Sequence, residues 1–279
     1  MIHRAWLAAA VLLLAAGCST TKEPAGAAGN DAPKGNAAPA GKSAPAGNAA
    51  PAAKPVQREV GFATEDGCKV AGTLHLPVER PVGAVLCLHQ YMSARESFDA
   101  VVPLLVSKSL AVLAIDLRGH GKSGTQQDSD KVQGRDPALF AAMAADVAGA
   151  VNLLRAEPGL KDVPLGILGA SVGSGLALQY AAQHEEVKAL CLLSPGDYLG
   201  VPASESALKV HCRVLMTSED AATADPVYTS LFRAGKVPEY LQEGVGEAAR
   251  PIKHHGTDQF GQGYGIEEKL AEFFAAMKG

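Results

Sequence analysis

In Gly169-Ala170-Ser171-Val172-Gly173 a serine stands between two glycines, directly after the apolar run Val163–Leu168 and directly before the helical stretch Ser174–Gln183. The order strand, G-x-S-x-G, helix mounts a serine on a sharp turn with its hydroxyl presented, the arrangement used for a nucleophile. The glycines let the strained backbone approach its neighbours closely. The pentapeptide recurs by chance, so its meaning depends on what else the chain supplies. Acyl transfer by such a serine needs a base for the hydroxyl proton, an acid to orient that base, and N–H donors for the developing oxyanion.

These groups must be held by the elements around them. Short β-rich runs fall at Arg58–Thr64, Lys69–Leu76, Gly83–His89, Ala111–Asp116, Pro164–Gly169, Val187–Leu193, Arg213–Thr217 and Pro238–Gln242. Between them, helical patterns fall at Ala94–Ser109, Pro137–Glu157, Ser174–Gln183, Pro226–Ala234 and Ile266–Lys278. Glu65-Asp66-Gly67 supplies a turn between the first two strands, predicting an N-terminal hairpin. The middle strands are nearly continuous apolar runs, as a parallel sheet covered on both faces requires. The expectation is an α/β fold: a mostly parallel, eight-stranded, doubly wound sheet with an N-terminal antiparallel hairpin. In such sheets the chemistry lies on loops past the carboxyl ends of the strands.

Three segments make the chain similar to an α/β-hydrolase. Ala84-Val85-Leu86-Cys87-Leu88-His89-Gln90 resembles the family's third strand and its His-Gly turn. Val112 to Ser123, through Asp116-Leu117-Arg118-Gly119-His120-Gly121, resembles the fourth strand and its loop; the serine turn is the third segment. The likeness runs from Val60 to the C-terminus. A phosphate-cradling GxxxxGK[ST] ending at Lys122-Ser123 would need glycine at 116, where Asp116 stands.

The resemblance implies the remaining parts. The base is expected at His255, in Lys253-His254-His255-Gly256-Thr257, because the family's histidine follows the last strand and often precedes glycine. His254 is then a neighbour. The acid is expected after Arg213–Thr217, three residues beyond the small residue matching Ser218. Ala221 occupies that position, so a turn one residue shorter points to Asp220, with Asp225 next and Glu219 third. Asp225 precedes Pro226 and also reads as a helix N-cap. The oxyanion donors are expected at the backbone N–H groups of Val172 and Tyr91, with Gln90 where the family usually has glycine. Asp197-Tyr198 lines the pocket or serves as plain loop. Only about 17 residues separate Leu193 from His211, too few for a large cap, so an open site and a small or accessible acyl substrate are expected. A carboxylesterase-like reaction without cofactor or metal is expected; dienelactone-hydrolase-like and acyl-peptidase-like members of the family also lack the cap, so the reaction subtype stays open. The alternative is an inactive, surface-tethered binding protein on the same scaffold. Dehalogenase or epoxide-hydrolase chemistry needs Asp where Ser171 stands.

The first 18 residues read as an export signal. His3 and Arg4 precede the apolar stretch Ala5–Ala16, too short for a stable span, and Leu14-Ala15-Ala16-Gly17-Cys18-Ser19 resembles a bacterial lipoprotein site with Cys18 lipidated. Ser19 favours the outer membrane by that analogy. Residues 19–54 hold Ala, Gly, Pro and polar residues with no large apolar side chain. They are expected to be a disordered tether of roughly 30–36 Å, with the hydrolase domain at 55–279. Without five basic and two acidic residues of the signal and tether, 20 basic and 27 acidic residues remain. That balance argues against nucleic acid as a partner. Cys87 and Cys191 lie in apolar runs, Cys68 and Cys212 at strand edges, and no disulfide is expected among them.

Overall fold

The computed structural model describes residues 54–246 and 249–277. The signal, Cys18 and almost all of the tether lie outside the described residues.

Eight strands form one mixed sheet: β1 (Val56–Ala63), β2 (Lys69–Leu76), β3 (Gly83–Leu88), β4 (Leu110–Ile115), β5 (Leu165–Ala170), β6 (Val187–Leu193), β7 (Arg213–Thr217) and β8 (Glu239–Leu241). Their order is β1-β2-β4-β3-β5-β6-β7-β8. β2 runs antiparallel to both β1 and β4, and every other pairing is parallel. The hairpin turns where expected, with Gly67 at φ +83° taking a conformation that a side chain disfavours.

The α-helices among the described residues are α1 (Val102–Ser107), α2 (Gln126–Gln133), α3 (Pro137–Ala142), α4 (Ala144–Ala156), α5 (Val172–Ala181), α6 (Ala203–Ala207), α7 (Ala221–Arg233) and α8 (Ile266–Ala275). Alternate residues of each buried strand feed opposite cores, as a two-residue side-chain period dictates. Leu86, Leu88, Leu113, Ile167, Leu190 and Met216 pack with Phe140, Val147 and Leu176 of α3, α4 and α5. Val85, Cys87, Val112, Leu168, Cys191 and Leu215 pack on the other face with Leu105 of α1 and Leu270 and Phe274 of α8.

Several elements depart from expectation. The stretch Ala94–Ser109 is a 3-10 turn (Arg95–Phe98) followed by α1, and Pro137–Glu157 divides into α3 and α4 at Met143. α7 begins five residues before Pro226, so Asp225 is an exposed residue inside the helix and does not cap it. As expected, by contrast, only α6 stands between β6 and β7, so the sheet carries no large cap. All four cysteines among the described residues are free thiols.

The register lines up the carboxyl ends of the strands. Leu88 pairs with Ile115 and Gly169, Ala170 with Leu193, and Leu193 with Thr217. The residues that follow these ends, His89, Ser171, Ser194 and Ser218-Glu219, therefore stand in one row. Between β3 and β5 the strand order reverses, and this is where open α/β sheets hold their ligands.

Candidate active site

Ser171 occupies the turn from β5 to α5 at φ +52°, ψ −118°, a strained conformation for a residue with a side chain. Its N–H donates to Leu193 O at 2.8 Å. Both glycines of the motif are sterically required. A Cβ on Gly173 would lie 2.2 Å from Leu88 O, and one on Gly169 would lie 2.4 Å from Gly173 O. Helix α5 is thereby pressed against the ends of β3 and β5, with Ser171 at its tip and 5% exposed. Val172 is the first residue of α5, so its N–H has no intrahelical acceptor.

The loop after β3 is built on two histidines. His89 is fully buried; its Nδ1–H donates to Gln90 O at 2.7 Å and its Nε2 accepts from Leu117 N–H at 3.0 Å. Burial, reinforced by the nearby His120, lowers its pKa to about 4, so the ring is neutral and keeps this donor and acceptor pattern. His120 packs edge-on against it at 4.9 Å, and its Nε2 accepts from Met92 N–H at 3.2 Å. Tyr91 is pinned between these anchors, its ring set against Phe140 with Arg135 5.6 Å above it.

On the far side, His255 Nδ1–H donates to Glu219 Oε1 at 2.6 Å. The other oxygen of Glu219 accepts from the Ser194 hydroxyl at 2.5 Å. Ser194 in turn accepts from Gly256 N–H at 2.8 Å and from Gln259 Nε2 at 3.0 Å, while Thr217 Oγ1 donates to Gln259 Oε1 at 2.6 Å. Burial pushes the Glu219 pKa up, but the bonds from His255 and Ser194 outweigh it, and the carboxyl lies below its ordinary value. Glu219 is thus an anion bonded on both oxygens.

The carboxylate on His255 is Glu219, not Asp220. Asp220 is the N-cap of α7: its Oδ1 accepts from Ala222 N–H at 3.0 Å and its Oδ2 from the Thr223 hydroxyl at 2.6 Å. The side chain is spent on the helix end. Glu219 is one residue closer to β7, and its extra methylene spans the distance to the ring.

His255 is brought to the serine side through Gly256, where a Cβ would lie 3.5 Å from the Cβ of Ala170, the residue before Ser171. Tyr198 meets the His255 ring edge-on at 5.8 Å, whereas Asp197 accepts from the N–H and hydroxyl of Ser204 and so holds α6. His254 Nδ1 bonds the Tyr264 hydroxyl at 2.9 Å. Among the described residues, no three His, Cys, Asp or Glu side chains converge as metal ligands. An apolar groove of about 620 Å³ between the hairpin and α1, lined by Val56, His75, Val78, Val102 and Val106, lies at the amino ends of the parallel strands and contains none of these groups.

The family profile of serine aminopeptidase S33 (Hydrolase_4) matches residues 79–226. A monoacylglycerol lipase of Mycolicibacterium smegmatis is 27% identical over 153 residues, covering 55% of this chain and 48% of that enzyme. The chain thus spans about half the length of that relative. A pimeloyl-[acyl-carrier protein] methyl ester esterase of Neisseria meningitidis is 27% identical over 202 residues, covering 64% of this chain and 71% of that enzyme. Among solved structures, a dienelactone hydrolase from Anabaena variabilis superimposes with a TM-score of 0.63 at 21% identity, covering 81% of this chain and 99% of that one. An esterase from Pyrococcus furiosus gives 0.60 at 18% identity, covering 80% and 94%. These two likenesses establish the α/β-hydrolase fold.

Proposed function

Because the chain belongs to the serine aminopeptidase S33 family, we propose that it is a serine hydrolase that cleaves carboxylic esters through Ser171, His255 and Glu219. The Ser171 Oγ attacks the acyl carbon while its proton passes to His255 Nε2. Glu219 holds the ring through Nδ1 and balances the charge it gains. The N–H groups of Val172 and Tyr91 receive the oxyanion, each donor worth about 2.7–4 kcal/mol in the transition state. As the carbonyl re-forms, the bond to the leaving alkoxide breaks and the alkoxide takes the proton from Nε2. Water then repeats the sequence on the acyl-enzyme and frees Ser171.

The observation that carries this reading is the 2.6 Å bond from His255 to a carboxylate that is itself bonded and ionised. It removes one support of the inactive-scaffold alternative, the lack of an identified acid to orient the histidine. An ester substrate is favoured because the named relatives are a monoacylglycerol lipase and a methyl ester esterase. The short β6–β7 connection favours accessible acyl groups. A panel of p-nitrophenyl esters of graded acyl length tests it: turnover should be best with short chains, and hydrolysis of aminoacyl anilides with no ester turnover would overturn the ester reading.

For location we propose a lipid anchor at Cys18 in a bacterial cell envelope, supported by the Leu14–Ser19 sequence and the Ala/Gly/Pro-rich stretch after it. Detergent-phase partition of the wild type, lost in Cys18→Ser, is the expected result. Equal partition of both would contradict it.

A further inference from the structure

We propose that Gln90 is a positioning residue whose side-chain amide locks the loop carrying His255 to the loop carrying the Tyr91 N–H. This rests on the roles given above to Ser171, His255 and Tyr91.

Gln90 lies between His89, the anchor of the first loop, and Tyr91. Its backbone oxygen is held by His89 Nδ1–H. Its side chain leaves that loop for the other one. Oε1 accepts from Thr257 N–H at 2.7 Å and from the Thr257 hydroxyl at 3.1 Å, and Nε2 donates to Asp258 Oδ2 at 3.4 Å. These partners are two and three residues after His255.

The fit between the two loops is steric as well as polar. Gly256 takes φ +54°, and a Cβ there would lie 1.9 Å from Gln90 Oε1. The glycine beside His255 therefore makes room for the amide oxygen. Thr257 is 5% exposed, so without that oxygen its N–H and hydroxyl would be buried with no acceptor from Gln90. A glycine at 90 would leave the two loops joined by packing alone.

Two loops that must agree on one reacting carbon gain from a direct tie. His255 moves the proton of Ser171, and Tyr91 N–H meets the oxyanion formed in the same step. A displacement of about 1 Å between such groups can cost on the order of 100-fold in rate. Gln90 touches neither substrate nor reacting atoms; it acts through Thr257 and Asp258.

The test measures kcat and KM for an activated ester, with fluorophosphonate labelling, on the full chain. Gln90→Ala should lower kcat about 10- to 100-fold with KM within about 3-fold, because orientation is lost while the acyl pocket is kept. Gln90→Glu combined with Asp258→Asn keeps an acceptor for Thr257 and reverses the donor at position 258. It should recover kcat to within about 5-fold of wild type. A kcat for folded Gln90→Ala within twofold of wild type overturns the proposal, as does a folded double variant no better than Gln90→Ala. If Gln90→Ala does not fold, recovery of rate by the double variant supports the tie and its failure overturns it. A wild type that neither labels nor turns over removes the underlying reading and this inference with it. A labelled wild type with an indifferent Gln90→Ala removes this inference alone.

Discussion

Glu219 Oε1 accepts from His255 Nδ1–H at 2.6 Å, while the adjacent Asp220 turns its carboxylate to the first turn of α7. Neighbouring acids thus have separate tasks. Glu219→Gln should lower kcat by about 10⁴-fold, because an amide can donate to Nδ1 and hold the wrong tautomer. Asp220→Ala should leave kcat within about threefold and slightly lower the melting temperature through loss of the helix cap. Steady-state kinetics and thermal melts of the two variants check this, and the reverse pattern would make Asp220 the acid.

Ser194 helps to hold Glu219 ionised. Hydrogen bonds from His255 and Ser194 hold the folded pKa below the ordinary glutamate value, so the ion's contribution is complete above that value. It is lost as pH falls through the lowered one. Ser194→Ala removes one of those bonds and raises the folded pKa of Glu219, so the acid edge of stability should move to higher pH. The change also strips Gly256 N–H and Gln259 Nε2 of their shared acceptor, with an expected stability loss of about 1–3 kcal/mol. A pH-stability profile with the same acid edge as the wild type would contradict the network.

Much of this arrangement was legible in the sequence, because buried parallel strands are continuous apolar runs and β2, β6 and β7 fall at the expected bounds. Gly169 and Gly173 carried the serine turn by their spacing. The acid was not legible. Its place depends on turn length after β7, and counting residues cannot tell that the longer Glu219 reaches the ring while Asp220 caps a helix. Asp225-Pro226 resembled a helix start, yet α7 begins at Ala221 and carries Pro226 inside it. The polar α2, Gln126–Gln133, offers little apolar periodicity to read. Ser194, Gln259 and the Gln90 tie were missed because their partners lie 25 to 168 residues away and exist only once the strand ends align.

Gly173→Ala should be among the most damaging single-atom additions in the domain. Its Cβ would lie 2.2 Å from Leu88 O, a backbone atom in the sheet's centre, so α5 must move away and carry Ser171 with it. The expected stability loss is about 3 kcal/mol, the upper part of the overpacking range, together with loss of labelling. Wild-type labelling by Gly173→Ala would show that the turn tolerates displacement.

Arg118 supports the oxyanion loop from behind. Its guanidinium and N–H bond Asp146, which is fully buried, and His120 two residues on accepts from Met92 N–H. Arg118→Met leaves that carboxylate buried without its cation and should cost about 3–5 kcal/mol in chemical denaturation. Replacing Asp146 by Leu in the same chain should recover much of the loss, since a buried pair is often matched by apolar residues of similar size. Equal stability of wild type and Arg118→Met would contradict the buried pairing.

The most direct measurement is intact mass after fluorophosphonate treatment of the full chain and its variants. A single adduct on the wild type, mapped to Ser171, absent in Ser171→Ala, strongly slowed in His255→Ala and Glu219→Gln, and unchanged in Asp220→Ala, is the predicted result. A folded wild type that takes no adduct, or an adduct that persists in Ser171→Ala, would contradict it.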